Sequence, residues 1–188
     1  MAFVTFHACP LAAPGQGKSG GMNVYVQQLA RSLGNLGVTV DVFTRQHPDA
    51  ARLVEEISPG VRVIHLPGGD ANVPMEDLFS YLPGFLEVVR EFRAENNLSY
   101  DAVHSHYWLS GWVGRALARD MDVPHIATFH TLSLVKMQSR AGEAEPMHRQ
   151  ESHKASSRWG WRRKGDARSR AANGSPPIFG VEEESGTL

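Results

Sequence analysis

FHACPLAAPGQGKSGGMNVYVQQLARSLGNLGVTVDVFTR, residues 6–45, carries the pattern that decides the fold. A short apolar run ends in a glycine-rich loop closing on Ser19-Gly20-Gly21-Met22-Asn23. An amphipathic helix then runs from about Asn23 to Leu36, Gly37 stands where a helix C-cap glycine belongs, and Val38-Thr39-Val40-Asp41-Val42-Phe43 reads as the next strand. A strand that stops at a glycine-rich turn before a helix N-terminus builds an anion site, because glycine lets the backbone approach and the first N–H groups of the helix lack intrahelical partners. At Gly20 and Gly21 the residues allow a plain flexible turn or a phosphate cradle. Asn23, in the first helical turn, suits capping or a ligand hydroxyl. Gly17-Lys18-Ser19 imitates the end of a P-loop, but Ala12 stands where the first glycine must be and Pro14 sits inside the loop.

Working outward, the alternation repeats. Phe3–Phe6 precedes the loop as the first strand. Val61–Leu66 reads as a third strand, Glu76–Glu95 as a helix interrupted at Pro83-Gly84, Asp101–His104 as a fourth strand, Trp108–Arg119 as a helix and Pro124–Phe129 as a last strand. Repeated βαβ units predict an α/β fold, a Rossmann-like parallel sheet with helices on both faces, whose ligands lie at the carboxyl ends of the strands. The absence of GxGxxG after the first strand argues against a dinucleotide-dependent oxidoreductase.

Composition sets broad limits. The 188 residues are 41% hydrophobic and 21% charged with a formal net charge of -1, so no general attraction to nucleic acid or anionic membrane is expected. No apolar stretch approaches the ~20 residues of a membrane span, and the start lacks a basic signal-peptide region, so a cytoplasmic protein is expected. The single cysteine, Cys9, reads as a small apolar filler at a strand end.

His104-Ser105-His106-Tyr107-Trp108 falls at the end of the fourth strand. Two histidines two apart on a strand share a face, as a metal pair does, but the sequence offers no convergent third ligand; a structural role or a sugar contact through His106 remain alternatives. The last strand exits into Thr128-Phe129-His130-Thr131, followed by Lys136 and Arg149. A histidine, a hydroxyl and two cations suit an acceptor bearing a phosphate, whereas the cations alone suit solvated surface.

His7, Pro10-Leu11, the stretch 19–45, HSHYWLSGWVGR at 104–115, TFHTLSLVK at 128–136 and Glu145-Pro146 with Arg149 together resemble the N-terminal domain of family 4 glycosyltransferases, in the branch of sucrose-phosphate synthases and D-inositol-3-phosphate glycosyltransferases. The resemblance covers residues 3–151. It implies the first half of a GT-B fold and transfer of a hexose, with retention, from a nucleotide sugar (a UDP-sugar) to a sugar, inositol or phosphorylated acceptor. Neither metal nor other cofactor is implied, since the nucleotide sugar is a co-substrate. It also implies His130 as the catalytic-site histidine beside the transferred sugar, Gly20 and Gly21 at the donor, and Asn23, Tyr107, Thr131, Lys136 and Arg149 at the acceptor. Met75 stands where relatives place a lysine, which weakens the expectation of phosphorylated inositol.

Residues 1–151 are thus expected to form the acceptor domain and 152–188 an irregular, disordered or out-of-frame tail. Beyond residue 151 the family pattern stops, and a shift of reading frame near 151–154 is the expected cause. The donor domain would then be missing and the chain inactive alone. The alternative is a non-catalytic sugar-phosphate binding module, or a half-enzyme that partners a separate donor domain.

Overall fold

A computed structural model describes residues 1–12, 20–47, 50, 52–70 and 73–130. Thr131, Lys136, Arg149 and the expected tail lie outside the described residues. The elements are β1 (Ala2–Val4), α1 (Gly21–Asn35), β2 (Val40–Arg45), β3 (Val54–Ser58), β4 (Val61–Leu66), α2 (Leu82–Glu95), β5 (Val103–His106), α3 (Trp108–Met121) and β6 (His125–Thr128). The expected helix 76–95 divides where proline demands it. Met75–Tyr81 forms a 3-10 segment, and α2 begins at Leu82 with Pro83 in its first turn, where a missing N–H costs nothing.

Six strands form one sheet in the order β3-β4-β2-β1-β5-β6. All neighbours are parallel except β3, which pairs antiparallel with β4. The sheet is therefore mixed rather than wholly parallel, and β3 was not anticipated. It forms because Pro59-Gly60, with Gly60 at φ 73°, turns the chain straight back into Val61. Without β3 the order is the doubly wound one, with the switch point between β1 and β5.

Side-chain alternation sends each strand's residues to two cores, as β pleating requires. On one face Phe3, Val40, Val42, Val61 and Val63 bury against Val26 and Ala30 of α1. On the other, Ala2, Val4, Phe43, Ile64 and Val103 pack under Phe85, Val89, Leu109, Val113 and Leu117 of α2 and α3. Helices thus cover both faces. Gly114 of α3 makes one close approach possible, since a Cβ there would lie 2.8 Å from Ser105 Cβ and 2.9 Å from His125 Nε2.

Near the amino ends of the strands, Asp41 and Arg62 face each other in register and form a two-pronged ion pair with N···O distances of 2.7 and 2.6 Å. The Tyr100 hydroxyl donates to Asp41 Oδ2 at 2.7 Å. Among the described residues, no helix is long and apolar enough to cross a membrane.

Candidate functional site

The site builds up at the carboxyl ends of β1, β5 and β6. The segment after β1 is fixed from three directions: Thr44 Oγ1 donates to Thr5 O at 2.9 Å, Thr5 Oγ1 donates to Ala8 O at 2.6 Å, and Phe6 N–H donates to Ser110 Oγ at 2.9 Å. Every side chain making these bonds is buried, so this loop is part of the scaffold.

Helix α1 begins beside it. Gly20 is extended (φ -146°, ψ -162°), no side chain caps the helix, and its first turn holds no acidic residue. The positive end of the helix dipole is thus left without a protein counter-charge among the described residues. A Cβ at Gly20 or Gly21 would meet nothing within 4 Å among them. Asn23 is buried and does not cap. Its Nδ2 donates to Cys9 O at 2.6 Å, which ties α1 to the β1 loop and fixes the orientation of the amide.

At the end of β5, His104 and His106 share the α1 face, with ring centroids 4.2 Å apart. His104 Nε2 is bonded to Thr128 Oγ1 at 2.8 Å. His106 Nδ1 lies 3.1 Å from His130 Nε2, and Tyr25 of α1 packs edge-on against both rings at 6.1 and 5.2 Å. The residues expected at 20–23, 106 and 130 therefore occupy one face of one rim, and Tyr25 is the side chain that joins them. Sequence reading passed over Tyr25 because it stands on a helix face that looks solvated; it is still 47% exposed. On the opposite face Ser105 Oγ is bonded to His125 Nε2 at 2.8 Å.

Burial keeps these imidazoles neutral. Desolvation, with repulsion from His104 and His130, lowers His106 to about 2. Desolvation, with His125 and His130, lowers His104 to about 4. Burial also pulls His130 below its ordinary value. His106 Nε2 is buried without a hydrogen-bond partner. A bare lone pair is less costly there than an orphaned N–H, so the favoured tautomer has His106 Nδ1–H donating to His130 Nε2. His130, half-buried, then keeps Nδ1–H as a donor for a ligand.

Two residues here carry backbone strain. His130 is left-handed at φ 58°, and Tyr107 sits at φ 76°, ψ 159°, a region almost reserved for glycine. Tyr107 is held there by its N–H to Thr128 O at 2.8 Å and its carbonyl accepting from Gly111 N–H at 3.0 Å. Its ring packs on His7 with centroids 4.5 Å apart, on the α2/α3 side of the rim and away from the Tyr25 contact. Met75 packs against that same core, as an apolar residue should.

The model of the glycosyl transferase 4-like domain matches residues 20–171. The chain belongs to this family. Among relatives of the glycosyl transferase 4-like domain, D-inositol 3-phosphate glycosyltransferase of Corynebacterium jeikeium is 43% identical over 142 residues, covering 75% of this chain and 34% of the relative. The Streptosporangium roseum protein of the same name is 44% identical over 138 residues, covering 72% and 32%. Among solved structures, sucrose-phosphate synthase from Thermosynechococcus elongatus superposes with a TM-score of 0.71 at 37% identity, covering 82% of this chain and 39% of that one. The chain thus spans about a third of the length of the curated relatives it matches. The sheet and its two helical layers are those of a Rossmann-like half of a GT-B glycosyltransferase.

Proposed function

We propose that this domain is the acceptor side of a retaining glycosyltransferase that moves a hexose from a nucleotide sugar, a UDP-sugar, to a sugar, inositol or phosphorylated acceptor. The observation that carries the reading is the single rim shared by the uncapped α1 N-terminus and His130, bridged by Tyr25. Departure of a nucleoside diphosphate develops negative charge, and backbone N–H groups at a helix N-terminus offset it without reorganising. Gly20 and Gly21 let those phosphates come close. The neutral His130 imidazole donates to a hydroxyl of the transferred sugar. The amide of Asn23 holds the acceptor, together with Thr131, Lys136 and Arg149, Tyr107 meets it from the α2/α3 side of the rim, and His106 sets the tautomer of His130. The names of the relatives favour an inositol phosphate as acceptor, while Met75 disfavours it because a thioether offers a phosphate no charge.

In this proposal the reaction uses no resident cofactor and takes place in the cytoplasm. The donor needs a second wall, so the 188 residues alone bind without turning over. Calorimetry of the 188-residue chain with UDP-glucose, with UDP and with inositol 3-phosphate tests the reading. UDP-glucose binding that weakens about tenfold in His130→Ala, the loss of one good hydrogen bond, while UDP binding changes little, is the expected result. Absence of binding to all three, or UDP-glucose binding indifferent to His130, would overturn it. Sustained transfer from a UDP-sugar by the 188 residues would refute the claim of inactivity.

A further inference from the structure

Beside this rim, on the neighbouring strands, the fold brings together three side chains that the proposed transfer does not use. Cys9 lies in the segment after β1, His47 just past β2 and His65 near the end of β4. Their ligating atoms all fall within 4.8 Å of one another, the one such trio of His, Cys, Asp or Glu among the described residues. Cys9 Sγ is 3.2 Å from His65 Nε2, and the His47 and His65 rings meet edge-on at 5.4 Å. Cys9 and His65 are 6% and 1% exposed.

Two details go beyond chance proximity. His65 Nδ1 lies 3.0 Å from the carbonyl of Arg52, which can only accept. The ring must therefore carry its proton on Nδ1 and present a bare Nε2 to the sulfur, the arrangement in which a carbonyl orients a metal-binding histidine. His47 Nε2 is buried and has no hydrogen-bond partner.

We propose that Cys9, His47 and His65 form a Zn²⁺ site with one open coordination position. A thiolate and two imidazoles are donors of the softness that selects zinc over magnesium or calcium. Tetrahedral zinc, with Zn–S of roughly 2.3 Å and Zn–N of roughly 2.1 Å, needs the sulfur and nitrogen about 3.6 Å apart. The observed gap of 3.2 Å must therefore open only slightly. On binding, the thiol proton leaves to solvent as the Zn–S bond forms, and no electron changes hands. The ion would staple the ends of β2 and β4 to the loop whose Cys9 carbonyl holds Asn23. No single stretch of sequence could announce this, because the ligands come from the ends of three different strands.

Titration of the full chain with Co²⁺, a spectroscopic stand-in, and with Zn²⁺ tests the site. Cys9 is the only cysteine, so any thiolate-to-cobalt charge-transfer band and any change in alkylation rate report on this position alone. The expected result is a 1:1 complex with that band, at least tenfold slower alkylation in equimolar Zn²⁺, loss of both metal signals in Cys9→Ser, and at least tenfold weaker binding in half-buried His47→Ala. An alkylation rate unchanged by Zn²⁺, metal affinity retained in Cys9→Ser, or affinity indifferent to His47→Ala overturns the proposal. These readouts do not involve sugar or nucleotide, so they stand apart from the transferase reading.

Discussion

The two ends of the sheet are built on opposite principles. At the amino end the buried charge is paired: Asp41, 1% exposed, is gripped by Arg62 and Tyr100, and the amino group of Met1 donates to Thr39 O at 2.6 Å. At the carboxyl end α1 has no cap, His106 Nε2 has no partner, and Tyr107 and His130 hold positive φ. The amino end has left-handed residues too, but they are Asn97 and Asp122, types that tolerate that region, and it leaves the buried Ser58 Oγ unpartnered. The carboxyl end puts positive φ on a tyrosine and a histidine, a strain that persists only because the loop after β1, α3 and β6 over-determine it. Function is expected where local rules are broken, and the contrast can be tested.

The largest effect should come from acid. His104, His106 and His125 have folded-state values lowered to about 4, about 2 and about 4, for each of which burial is the leading cause. Below the unfolded value near 6.5 the unfolded chain takes up protons that the folded chain refuses, so stability is full above that pH and is lost as pH falls toward 4. Three such groups remove about 4 kcal/mol per pH unit in that window. Urea unfolding at pH 7.0, 6.0 and 5.5 measures it, and a flat stability profile would show these three histidines to be less desolvated than described. Next, Asp41→Ala should cost about 3 kcal/mol by stranding the Tyr100 hydroxyl and the Arg62 guanidinium, while ligand affinity of the folded protein stays unchanged. A change in affinity there would break the division between the two ends. Gly114→Ala should cost about 2 kcal/mol through overpacking against Ser105 and His125, read as a lower urea midpoint. The smallest change separates stability from function: Gly21→Ala should raise stability by about 0.5 kcal/mol, because the added methyl meets no described atom and stiffens the unfolded chain. It should nevertheless weaken UDP binding, and unaltered binding would remove Gly21 from the donor site.

Residues 19–45 announced a strand–helix–strand unit because their apolar periodicity, glycine cap and β-branched run agree with one another. Val54–Ser58 did not, since a short edge strand with Glu55 and Glu56 at its centre buries too little to show a pattern; only Pro59-Gly60 betrayed it. His106 and His130 could be placed at strand ends from sequence, and the parallel pairing of β5 with β6 then closes a separation of 24 residues. What sequence could not supply was the side-chain geometry: that Asn23 spends its amide on Cys9, that Tyr25 bridges two histidines, or that Tyr107 turns toward His7. Each depends on which neighbour the fold brings alongside, and periodicity carries no such information.

The β5–β6 pair has a mechanical consequence. In register, His104 lies opposite Ile126 and Ser105 opposite Ala127, yet His104 is fastened to Thr128 and Ser105 to His125. One fastening slants forward along β6 on the upper face, and the other slants back on the lower. Sliding β6 in either direction stretches one of them, so the strand is pinned along its axis like a braced ladder. His130, two residues past the strand, inherits a position indexed from both sides of the sheet.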